Sequence, residues 1–112
     1  MQVFATNREH EIWEVARTQL DERGFALLPA VLAKNRCGEI AGYYADDRRF
    51  RSRIEMARYS FGRGEYKYLN YPLPEIVQYL RASIYPQLAP LANQWAERLG
   101  NKIRYPEQLS DF

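Results

Sequence analysis

Residues 50–69 read FRSRIEMARYSFGRGEYKYL, and this stretch decides the fold class. Phe50, Ser52, Ile54, Met56 and Arg58 fall on one face of a strand, and Arg51, Arg53, Glu55, Ala57 and Tyr59 fall on the other, because strand side chains alternate. Phe61-Gly62-Arg63-Gly64 carries turn chemistry, since glycine enters positive-φ conformations at little steric cost. Glu65 to Asn70 then resumes as a strand, with Tyr66 and Tyr68 on one side and Lys67 and Leu69 on the other. The pattern predicts an antiparallel hairpin. Ile54 and Met56 face a core, and Arg51 and Arg53 share the polar side with Tyr66 and Lys67 returning alongside.

Helical patterns flank the hairpin. Thr6 and Glu9 have capping-box spacing, and Ile12, Val15, Ala16 and Leu20 recur at helical intervals up to a stop at Gly24, which predicts a helix over about 7–23. Phe25-Ala26-Leu27-Leu28, closed by Pro29, reads as a short buried strand. Val31, Leu32, Ile40, Ala41 and Tyr44 predict a second helix over about 32–45, weakened by Gly38 and Gly42. Leu73, Ile76, Val77, Leu80 and Ile84 mark a third helix, and Leu88, Leu91, Ala92, Trp95 and Leu99 a fourth ending at Gly100. Pro86 and Pro90 separate the two, since each removes a donor and crowds the preceding turn. Tyr105 to Phe112 resembles a helix start too short to stand in water by itself, so it either docks on the core or is part of an element cut short. The expected fold is α+β, about four helices packed on a small antiparallel sheet, with residues 1–112 forming one domain or the N-terminal part of a larger one.

Composition narrows the function. The 112 residues are 46% hydrophobic and 27% charged, which is globular rather than disordered. Sixteen basic and 14 acidic residues leave a charge of +2, too balanced to demand a nucleic-acid partner. Cys37 is the one cysteine, so no internal disulfide or multi-cysteine metal site forms, and a cytoplasmic location is expected. The first residues lack a signal-peptide core, and no window has the run of about 18 apolar residues needed to span a membrane.

Each candidate site has a plain structural reading beside it. His10 is the single histidine, and with Glu at position 14 it makes no H-E-x-x-H pair, so a solvated or capping role is expected. Cys37 beside Arg36 is read as a small buried packing residue rather than an activated thiol. Gly62-x-Gly64 lacks the rest of a phosphate loop and is read as a turn. Asp21-Glu22 and Asp46-Asp47 occupy a helix end and a turn, with no apolar pocket to suit acid–base work. The real concentration of charge is Arg48, Arg49, Arg51, Arg53, Arg58 and Arg63 with Lys67, interleaved with tyrosines. The first reading is a solvated face paired with Asp46, Asp47, Glu55 and Glu65. Contact with an acidic substrate or partner through Arg51, Arg53, Arg63, Tyr66 and Lys67 comes next, and single-stranded nucleic acid comes last.

Gly24-Phe25-Ala26-Leu27-Leu28-Pro29-Ala30-Val31-Leu32, followed by Cys37 and Ile40, resembles the opening region of the iron(II)/2-oxoglutarate-dependent dioxygenases. Two further blocks are similar to bacterial prolyl-hydroxylase-like members: residues 62–69, and residues 80–93 together with Trp95. The resemblance covers nearly the whole chain but only the N-terminal half of such an enzyme. It implies a region flanking a double-stranded β-helix, or jelly roll. It also implies a parent that uses iron(II) and 2-oxoglutarate to hydroxylate a prolyl or other peptide side chain. The family's His-x-Asp/Glu motif, second histidine and 2-oxoglutarate-binding cation lie beyond Phe112, so no catalytic, cofactor or metal residue carries over to this chain. The partners implied are the parent's C-terminal half and self-association. The alternative is a free-standing, non-catalytic binding module that uses the Arg/Tyr-rich hairpin.

Overall fold

A computed structural model of the chain describes residues 8–112. Three α-helices and one two-stranded antiparallel sheet make the described residues an α+β structure. It divides into two compact units, one formed by residues up to Ala33 together with Glu75–Phe112, the other by Lys34–Pro74.

In the first unit, α1 spans Glu9–Arg23, close to expectation. Thr6 of the capping pattern lies outside the described residues, and Arg8 occupies the N-cap position. Gly24 closes the helix at φ 80° and donates its N–H to the Leu20 carbonyl at 2.9 Å, the left-handed cap only glycine adopts cheaply. Trp13 and Ala16 on α1 are the buried centre, covered by Ala26, Leu28, Val31 and Ile84. The expected strand at residues 25–28 is absent: the segment pairs with no strand among the described residues. Its alternation survives, with Ala26 and Leu28 turned onto Trp13 while Phe25 and Leu27 are 62% and 85% exposed. Apolar alternation alone cannot form a ladder without a partner edge.

α3 spans Glu75–Arg98 and runs through Pro86 and Pro90, correcting the expected third and fourth helices to one. Each proline deletes one backbone bond, but it already has helical φ. The buried positions Ile76, Ala89 and Leu91 lie on both sides of Pro86, so the whole helix is held by tertiary contact. α1 and α3 run in the same direction. Ile84 covers Trp13, the Arg17 Nη1 donates to the Gln87 Oε1 at 2.8 Å, and Arg98 pairs with Asp21 at 2.6 Å.

The tail docks on α3, the first of the two expectations for it. Asn93 clamps the Tyr105 backbone at both ends, accepting its N–H at 2.7 Å and donating to its carbonyl at 3.0 Å. The Tyr85 hydroxyl donates to the Pro106 carbonyl at 2.8 Å, and Phe112 stacks on Tyr105 with centroids 6.1 Å apart. Instead of starting a helix, the last residues form a single 3-10 turn at Leu109–Asp111.

In the second unit, α2 spans Lys34–Gly42 and tightens into a 3-10 turn at Tyr43–Ala45, so the expected helix ends at its second glycine. Cys37 is exposed, which corrects its expected burial: α2 has no buried residue. β1 is Phe50–Glu55 and β2 is Glu65–Leu69. Residues 56–59 are a 3-10 turn rather than the end of β1. The link back to β2 passes through Gly62 at φ 102° and Gly64 at φ 110°, as the turn chemistry predicted.

Candidate functional site

The hairpin holds the residues singled out as a contact surface, and a bulge rearranges them. Ile54 pairs with Tyr66, Arg53 with Lys67 and Glu55 with Glu65, but Ser52 pairs with Tyr68 and Phe50 with Leu69. Three residues of β1 therefore oppose two of β2, and Arg51 is the extra one. The bulge reverses the face of Phe50, placing it with Arg53 and Lys67, and puts Arg51 beside the tyrosines. Arg51 and Arg53 thus do not share a face, a correction of the period-two reading.

The Arg53 face is internally neutralised. Arg53 pairs with Glu55 and lies 3.1 Å from Glu65, while Arg58 lies 3.5 Å from Glu55. The Lys67 side chain is only 9% exposed. Its Nζ donates to the Tyr44 carbonyl at 2.9 Å and to Asp47 at 3.1 Å, and lies 4.2 Å from the Tyr44 ring centre and 5.1 Å from that of Phe50. The Tyr44 hydroxyl is pushed above the usual phenol range, first by loss of solvent and then by its bond to Glu65. Arg53 and Lys67 are therefore tied into the unit's own structure.

The other face is different. The Arg51 guanidinium lies 5.5 Å from the ring centres of both Tyr68 and Tyr71. Tyr66 meets Tyr68 edge-on at 5.6 Å. Loss of solvent, and then the neighbouring Tyr68, raises the Tyr66 hydroxyl above the usual phenol range, so it stays neutral at neutral pH. Arg63 sits in the exposed turn between the two glycines. Of the five residues expected to make contact, Arg51 and Tyr66 come together here, Arg63 stands at the hairpin tip, and Arg53 and Lys67 are on the opposite side.

The sequence reading missed Tyr71 and the recess at the hairpin base. Asn70 closes that base as a double donor: its N–H and its Nδ2 donate to the carbonyls of Arg49 and Arg48 at 2.7 and 2.9 Å. A recess of about 320 Å³ opens beside it, lined by Arg48, Arg49, Asn70, Tyr71, Pro72 and Pro74. Asp46 lies 3.0 Å from Arg48 and 3.6 Å from Arg49, one acid for two guanidiniums, and their pull, Arg48 first, holds its carboxyl below the usual range. The signal in the sequence was the Arg48-Arg49 pair followed, after the hairpin, by Tyr71-Pro72.

Among the described residues no three His, Cys, Asp or Glu side chains gather at one point. His10 lies on the exposed side of α1, 3.2 Å from Glu14. No described helix is long and apolar enough to cross a membrane.

In the first unit an apolar groove of about 550 Å³ lies between α3 and the docked tail. Leu80, Ile84 and Leu88 line it from the helix, and Tyr105, Leu109 and Phe112 from the tail.

A protein-family profile matches residues 64–112, and that family is described as an oxygenase catalysing oxidative methylation of damaged DNA. Two uncharacterised proteins from two strains of Mycobacterium tuberculosis are each 34% identical to the chain over 41 residues, or 37% of its length. The match spans 18% of the length of those relatives. No solved structure matches the chain. The matched residues are β2, α3 and the docked tail, and they form an oxygenase-like region.

Proposed function

We propose that this chain is the N-terminal supporting region of an iron(II)/2-oxoglutarate-dependent dioxygenase and does not catalyse on its own. The observation that carries this reading is the oxygenase-family similarity of residues 64–112, which coincides with a helix and docked tail bearing an open apolar groove. Such a scaffold presents apolar surface to a partner. The iron ligands and the 2-oxoglutarate cation belong, in this reading, to the remainder of the parent. The parent then hydroxylates a C–H bond, and the sequence resemblance points to a prolyl or other peptide side chain.

A second substrate reading is a nucleic acid. Two observations favour it: the matched family's description names damaged DNA, and the tyrosine face of the hairpin carries unneutralised arginine. The free-standing binding module has no observation that favours it over the oxygenase reading.

The test is anaerobic calorimetry with iron(II) and 2-oxoglutarate on this chain and on a version extended along its reading frame. The 112-residue chain is expected to bind neither as a catalytic pair, whereas the extended protein binds iron in a 2-oxoglutarate-dependent way and releases succinate. Micromolar, 2-oxoglutarate-dependent iron binding by the short chain overturns the supporting role. A stop codon directly after Phe112 overturns the parent enzyme.

A further inference from the structure

We propose that the tyrosine face of the hairpin is a binding surface for single-stranded nucleic acid, with Arg51 and Arg63 meeting phosphates and Tyr66, Tyr68 and Tyr71 stacking on bases. The inference stands on the hairpin's own geometry. It rests on the oxygenase reading only for what the captured strand is used for.

The first support is charge. The unit formed by Lys34–Pro74 holds nine basic and five acidic residues, a net charge of +4, although the whole chain carries only +2. The rest of the chain is therefore net acidic, and the near balance of the overall composition conceals a segregated one. A concentrated positive field attracts polyanions.

The second support is where the acids are spent. Glu39 serves Arg36, Asp46 serves Arg48 and Arg49, and Asp47 serves Lys67. Glu55 serves Arg53 and Arg58, and Glu65 serves Arg53. Among the described residues no ion pair involves Arg51 or Arg63. The bulge is the cause for Arg51, because it lifts that residue off the face that Glu55 and Glu65 occupy.

The third support is the exposed rings. Tyr66, Tyr68 and Tyr71 are 43%, 46% and 66% exposed, and Arg51 lies against the last two. Rings interleaved with cations match a ligand that alternates flat faces with negative charge along its length. An acidic protein segment would use the arginines and leave the rings idle, which favours nucleic acid. Tyr71 also lines the recess with Arg48 and Arg49, so the surface continues from the hairpin face to its base.

The test is fluorescence anisotropy of the 112-residue chain with a labelled oligothymidylate of about 12 nucleotides, at about 50 and about 200 mM salt. Binding is expected at the lower salt and should weaken at the higher. Tyr68→Ala should weaken it about tenfold and Tyr68→Phe should restore it, since stacking needs the ring and not the hydroxyl. Arg51→Ala with Arg63→Ala should flatten the salt dependence by about 0.7 in log–log slope for each phosphate that is no longer neutralised. Arg53→Ala, on the neutralised face, should leave affinity within about twofold. Tyr71→Ala decides the matter if circular dichroism finds Tyr68→Ala misfolded. Absence of binding at about 50 mM salt overturns the proposal. So does binding that polyglutamate displaces equally well, or that ignores the tyrosine variants. Strand binding here without 2-oxoglutarate turnover in the extended protein would overturn the enzyme reading alone, and the converse result would overturn this proposal alone.

Discussion

Asp21, one of the paired carboxylates that the sequence places at a helix end, shows how a single charged residue here does structural work. Its carboxylate accepts from Arg98 at 2.6 Å and from the Trp95 indole at 3.4 Å, and these bonds, Arg98 first, hold its pKa below the usual carboxylate range. A carboxyl with a depressed folded pKa contributes stability that is present above its unfolded pKa and lost as pH falls through the folded one. Asp21→Asn should therefore shrink the drop in urea midpoint between about pH 6 and about pH 3. An unchanged drop would show that the Arg98 contact does not matter to folding. Lys67 is the second case. Lys67→Ala removes the donor to the Tyr44 carbonyl and the stem packed on Tyr44 and Phe50, and should cost about 1–3 kcal/mol by chemical denaturation. Arg51→Ala should stay within about 0.5 kcal/mol, because Arg51 is exposed. Equal costs would place Arg51 in the structural framework as well.

Among the elements, the hairpin was legible as a hairpin, and its strand ends fell within a few residues of expectation. The faces were not legible, because one bulged residue shifts the parity of everything before it. Arg51 carries no local mark that distinguishes it from Arg53. The connection depends on Gly64, whose φ of 110° L-residues avoid, while a Cβ there would meet Met56 Sδ at an ordinary 3.8 Å. Gly64→Ala should therefore destabilise through backbone strain and not through a clash, by about 1–3 kcal/mol. α3 shows the opposite error. Proline rules applied locally divide it, but its buried positions Ile76, Ala89 and Leu91 lie on both sides of the first proline. Pro90 is exposed, so Pro90→Ala should raise stability by about 1–2 kcal/mol, less than the roughly 3 kcal/mol helix propensity difference because proline also restrains the unfolded chain. A loss of stability in thermal unfolding would mean that the proline ring itself packs where the helix needs it.

For the molecule as a whole, apolar surface left open is the dominant feature. Leu27, Leu99, Phe112 and Phe61 are each more than 70% exposed, and the groove on α3 is lined almost wholly by apolar side chains. Uncovered apolar patches of this kind seek partners. The chain by itself should bind a hydrophobic dye and associate with rising concentration in sedimentation experiments. A strictly monomeric chain that binds no dye would mean that the groove is adequately served by water and the docked tail. Leu88→Asp, at a groove position, should reduce association without touching the Trp13 and Ala16 centre.

Periodicity and glycine placement were sufficient for α1, its Gly24 stop, the α+β class and the existence of the hairpin, because each depends on interactions within a few residues along the chain. Five outcomes depended on interactions between distant residues. They are the union of α3 through two prolines, the missing pairing of residues 25–28, the exposure of Cys37, the docking of Tyr105 and the sorting of Arg51 from Arg53. In α3 and the docked tail a local preference of about 1–3 kcal/mol was set against burial or pairing with a partner far away in sequence, whereas residues 25–28 meet no pairing strand and Cys37 no covering element among the described residues. The Arg/Tyr surface follows the same division. Its residue types were visible from composition, but the separation of neutralised from unneutralised arginine arises only when the two strands pair and the bulge selects which side each guanidinium takes.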